Sequence, residues 1–96
     1  MISFEEAQEV FDNLENEFDN HTFIFKYIEL HENEYVNLLT RKNDHPNVFQ
    51  TVNSTIGRDF ERFSSRLPVE KAGRRKSFNI KGNVTDNQNW RKTNIS

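Results

Sequence analysis

The 96-residue chain has no cysteine. That excludes a disulfide framework and any cysteine-ligated metal. Its three glycines, Gly57, Gly73 and Gly82, are isolated from one another, so no glycine-rich loop exists to cradle a phosphate. No apolar run approaches the length of a signal core or a membrane span. The opening stretch MISFEEAQEV is acidic, the opposite of a basic leader. A cytoplasmic protein without membrane contact is therefore the expectation. Histidines are few and scattered: His21, His31 and His45. His31 opens HENEY, but a zinc-protease helix needs a second His at the fifth position, where Tyr35 stands. Lone on an apolar stripe, His31 reads as a hydrogen-bonded core residue. No pattern assembles a nucleophile with a base, so neither an enzyme nor a cofactor or metal is expected.

What the chain does have is phenylalanine. There are nine, although only 33% of residues are hydrophobic, 29% are charged and the mean hydropathy is -0.92. Large aromatic rings dominate core energetics and are costly to leave in water, so a small folded core with a long polar tail is expected. Residues 1–96 read as a single small domain of modest stability, with a helical part over 1–67 and a basic hairpin or arm over 68–96. The net charge of -2 conceals a split. From Met1 to Glu34 there are ten acids and one base, Lys26; from Tyr35 to Ser96 there are five acids and twelve bases. Such a split marks either separate acidic and basic faces or head-to-tail neutralisation, within one chain or between two.

Three apolar periodicities predict the helices. Phe4, Ala7, Phe11, Leu14 and Phe18 recur at steps of three and four, predicting one helix that stops near Asn20. Ser3 with Glu6 has capping-box spacing. Ile24, Tyr27, Ile28, His31, Tyr35 and Leu38 form a second stripe, capped by Asn20 or Thr22. It is one long helix, or two with a break near Glu32–Asn33. NDHPN then reads as a loop. Phe49, Val52, Ile56, Phe60 and Phe63 form the third stripe, closed by Pro68. Gly57 within it costs roughly 1 kcal/mol relative to Ala, so a close approach to its backbone is expected. Beyond Pro68 the stripe vanishes. KSFNIKGNVT predicts a short β-hairpin, and Trp90 is expected to dock on the helices or on a partner.

The stretch NSTIGRDFERF, Asn53–Phe63, joins short polar residues, an apolar residue and spaced arginines. That is the pattern of a helix presented to the major groove. The order helix, helix, helix, basic hairpin resembles a winged helix domain over Thr22 to Trp90, although RKNDHPNVF is longer than the tight turn such motifs use. The resemblance implies a mainly α, winged-helix-like fold of three or four helices with a short C-terminal hairpin. It also implies a small, non-catalytic regulatory protein, bacterial or phage in origin, that binds double-stranded DNA. Asn53, Ser54, Arg58 and Arg62 would meet the groove. Arg74, Arg75, Lys76 and Lys81 would hold phosphates, with counterion release and salt-dependent affinity. From Arg66 onward eight bases face two acids. RRKS at Arg74–Ser77 also has the form of a basophilic kinase site, and a solvated loop is the plainer alternative for the whole run.

A different class of function fits the same chain: a protein-interaction module, inhibitor or accessory subunit, without nucleic acid. It would act through the acidic first helix or through the basic tail and Trp90. The narrow stripe of that helix also suits pairing of two copies through residues 3–18. Its outer face, Glu5, Glu9, Asp12, Glu15 and Asp19, is either solvated, bound to a basic partner or an imitation of DNA phosphates.

Overall fold

The computed structural model describes residues 1–93. Its first helix, α1 (Phe4–Asp12), begins at the expected capping box. Glu6 N–H donates to Ser3 Oγ at 3.0 Å, and Ser3 N–H donates back to Glu6 Oε1 at 2.9 Å. The helix does not continue to Phe18. Asn13 closes it, with its own Nδ2 donating to the Glu9 carbonyl at 2.9 Å; a short carboxamide offers the backbone this alternative to another helical turn. Phe18 lies instead on a three-residue strand, β1 (Glu17–Asp19).

Strand β1 runs directly into α2 (Asn20–Leu30), and its last residue is the cap. Asp19 Oδ1 accepts from both the backbone N–H and the hydroxyl of Thr22, each at 2.8 Å. The cap is therefore Asp19 rather than Asn20 or Thr22. His31 (φ -132°, ψ 50°) breaks the second stripe one residue before the expected point, and α3 (Glu32–Arg41) follows. A turn-rich loop then leads into α4 (Val48–Ser64). Gly57 marks a close approach: a Cβ there would lie 3.4 Å from Asn20 Nδ2, so the N-terminus of α2 sits against the middle of α4.

After α4 the chain forms a hairpin of β2 (Val69–Phe78) and β3 (Val84–Lys92), bulged between Lys71 and Arg74. It is far longer than KSFNIKGNVT alone. The sheet is antiparallel in the order β1–β3–β2. Trp90 lies in the central strand between Phe18 and Lys71. It is buried, its indole N–H donates to Asn20 Oδ1 at 2.7 Å, and its ring meets Phe60 edge-on at 5.0 Å. Trp90 thus docks on the helices as expected. Phe60 is the centre of the core, with Phe11, Phe18 and Phe23 also within 6.4 Å of its ring.

The mainly α, winged-helix-like expectation is corrected by these elements. The fold is α+β: among the described residues, four helices and a three-stranded antiparallel sheet enclose one core. Strand β1 comes from residues assigned to the first helix, and β3, the central strand, carries a core residue; the split into α2 and α3 is the two-helix alternative of the second stripe. The sheet is therefore a wall of the core and not an appendage to a helical bundle. The stripe Ala7, Val10, Phe11 and Leu14 is buried in the chain's own core. Two copies could pair through it only by giving up that burial.

Candidate nucleic-acid interface

The hairpin is fixed to the helices by a polar network at the start of α2. Asp19 Oδ2 accepts from the Ser77 hydroxyl at 2.7 Å, with Arg75 Nε at 3.7 Å. Burial alone would raise the Asp19 pKa. The hydrogen bonds from Ser77 and Thr22, with the Arg75 charge, outweigh that effect and hold it below the ordinary 3.8. The Ser77 hydroxyl points its one hydrogen at Asp19, so its oxygen accepts from His21 Nδ1–H at 2.8 Å. His21 Nε2 lies 3.3 Å from the Thr85 hydroxyl. Asn87 completes the lock: its Oδ1 accepts from His21 N–H, and its Nδ2 donates to the Arg75 carbonyl, both at 3.0 Å.

Held this way, the hairpin tip stands across from α4, and a groove of about 630 Å³ opens between them. The tip is rigid. Asn79 Oδ1 accepts from the N–H groups of Lys81 and Asn83 at 3.0 Å each, and Gly82 turns the chain at φ +79°. One wall of the groove is Gln50, Asn53, Ser54, Gly57, Arg58 and Glu61 of α4. Ile24 and Phe25 of α2 and Phe49 of α4 supply apolar surface, and Ile80 and Lys81 look in from the tip.

The eight residues singled out in the sequence divide three ways. Asn53, Ser54, Arg58 and Lys81 come together around the groove. Arg74 and Lys76 are exposed on β2 and form no ion pair among the described residues. Strand alternation sets them on the face opposite Arg75 and Ser77. Arg62 and Arg75 are engaged elsewhere: Arg62 Nη2 lies 3.3 Å from the buried Asp59, and Arg75 is on Asp19. Asn53 is half spent, because its Oδ1 accepts the Tyr35 hydroxyl at 2.8 Å. Desolvation raises the Tyr35 pKa and outweighs the opposing effect of that hydrogen bond.

Phe25 was missed. It is 41% exposed at the groove, and the available signal was an aromatic residue off the apolar stripe of its helix. The kinase-like RRKS is also recast, since Ser77 is half-buried and committed to Asp19.

On the far side, His31 clamps the α2–α3 elbow to α1. Its ring stacks on Tyr27 at 5.2 Å, Nδ1 lies 3.7 Å from Glu6 Oε2, and Nε2 lies 2.9 Å from Glu9 Oε1 without hydrogen-bond alignment. Glu6, His31 and Glu34 each bring a ligand atom within 4.8 Å of the others, the one grouping among the described residues with the donors for a cation. Burial, with Glu6 and Glu34 nearby, pushes the Tyr27 phenol well above its ordinary pKa of 10.0. Among the described residues no helix is long and apolar enough to cross a membrane.

No protein-family model, curated protein or solved structure matches the chain. Its function is argued from this geometry.

Proposed function

We propose that this protein is a non-catalytic DNA-binding protein that grips the duplex between α4 and the hairpin. The observation that carries this reading is the convergence of Ser54 and Arg58 on α4 with Lys81 at the hairpin tip, around one groove. Arg74 and Lys76 add exposed positive charge on the other face of the arm. Short polar groups and an arginine on an exposed helix suit base edges and phosphates together. Cations on a projecting β-ribbon suit the neighbouring backbone.

Anisotropy of a labelled random-sequence duplex, titrated at low and near-physiological salt, tests it. The expected result is binding that weakens linearly in log salt, with Arg58→Ala and Lys81→Ala each lowering affinity. Absence of binding at low salt, or affinity indifferent to both substitutions, sinks the reading.

A second reading is favoured by one specific feature. Phe78 and Val84 are cross-strand neighbours, 63% and 56% exposed. An apolar pair on a solvent face suits a protein partner, as in an inhibitor or accessory subunit. Affinity for no duplex at any salt, together with a stable protein complex abolished by Phe78→Ser, would favour this second reading.

A further inference from the structure

We infer that the groove between α4 and the hairpin tip receives an unpaired nucleotide, a base turned out of the duplex or part of a single strand. This rests on the nucleic-acid reading and narrows it. The first argument is charge. Four formal charges line the groove: Arg58, Lys81, Glu61 and Asp86. Glu61 is held by Lys71 at 3.2 Å, whereas Asp86 forms no ion pair among the described residues. Of the two acids, Glu61 alone is neutralised by a base outside the groove. Arg58 and Lys81 form no ion pair among the described residues. Two unpaired cations on opposing walls stand against one unpaired carboxylate, so the balance is positive, as a strand with phosphates on either side of a base requires.

The second argument is the chemistry between those cations. Gln50 and Asn53 bring carboxamides, which donate and accept and so match the edges of bases. The Oδ1 of Asn53 is taken by Tyr35, which leaves its NH₂ as the group it can offer. Phe25 supplies an exposed ring at the same groove, and bases stack on aromatic side chains in a sequence-tolerant way. A volume of about 630 Å³ lies within the range of small-molecule sites. A paired base offers neither a free face nor a free Watson–Crick edge; an unpaired one offers both.

The test compares three labelled probes by anisotropy: a perfect duplex, the same duplex with one unpaired thymidine, and a short oligothymidylate. The expected order is tighter binding of the bulged duplex and the oligothymidylate than of the perfect duplex. Phe25→Ala should weaken the two unpaired probes on the order of tenfold and leave the perfect duplex unaffected. Phe25 lies at the surface, so this variant retains the core, and Gln50→Ala, on the exposed wall of the groove, provides a second handle with the same selectivity. Equal affinity for all three probes overturns the inference while the duplex reading stands. Indifference of the unpaired probes to both substitutions also overturns it. Binding of no probe overturns this inference and the nucleic-acid reading together.

Discussion

At the scale of single residues, Asp19 and Phe60 are the positions on which most depends. Asp19 caps α2, anchors Ser77 and draws Arg75, and its carboxylate is held below the ordinary pKa. A depressed carboxylate pKa stabilises the fold fully above the unfolded value of 3.8 and loses that contribution as pH falls through the folded value beneath it. Urea unfolding of the wild type and Asp19→Asn across a pH series should show a stability gap that is constant at neutral and mildly acidic pH and narrows below 3.8. A gap independent of pH would mean that the carboxylate's charge is not what the network uses. Phe60 is fully buried and touches four aromatic rings. Phe60→Ala should cost about 3–5 kcal/mol. A small domain holds roughly 5–15 kcal/mol in total, so the urea midpoint should collapse or the chain should fail to fold.

At the scale of elements, the hairpin is the part whose position matters most for the site, and its attachment is polar. Ser77→Ala removes the hydroxyl that joins Asp19, His21 and Asn87. Leaving those partners short of a hydrogen bond should cost about 1–3 kcal/mol. Hydrogen exchange should then quicken at the β2 and β3 amides more than at the α1 and α4 amides; uniform quickening would mean that the lock serves the whole fold equally. The same element explains how far the sequence could be read. The helical stripes were legible because burial on one face imposes a 3.6-residue period. Strand β1 was not, because Phe18 completes the helical spacing of Phe4, Ala7, Phe11 and Leu14 while reaching the core from an extended backbone. The length of β2 was hidden for another reason. Its two faces are largely exposed and a bulge shifts its register, so VEKAGRRKSF shows no alternation. Of the site, Arg58, Ser54 and Lys81 were legible from charge and polarity. The engagement of Arg62, Arg75 and Asn53 was not, since Arg75 and Asn53 find Asp19 and Tyr35 on other elements and Arg62 finds an aspartate drawn into the core.

At the scale of the molecule, the charge split of the sequence becomes spatial only in part. Some bases of the second half are neutralised where they stand, Lys71 on Glu61 and Arg91 beside Glu17 and Glu70. Arg66 lies over the Phe4 ring at 3.9 Å and gains cation–π stabilisation there. The bases left to meet an anion are Arg58, Arg74, Lys76 and Lys81 on α4 and the hairpin, with Arg41 and Lys42 at the end of α3. Glu5, Asp12 and Glu15 remain exposed on or just beyond α1, and a polyanion is repelled from that side. A duplex should therefore engage the molecule away from α1, and the salt slope should count only the unpaired bases it reaches. Each phosphate contact contributes about 0.9 to the slope of log affinity against log salt on B-form DNA. Replacing Arg74 and Lys76 together by Ala should then lower the slope by about 2. Arg62→Ala, whose guanidinium is already on Asp59, should leave it unchanged. Equal reductions from both variants would show that the duplex responds to net charge alone, with no defined face of the protein turned toward it.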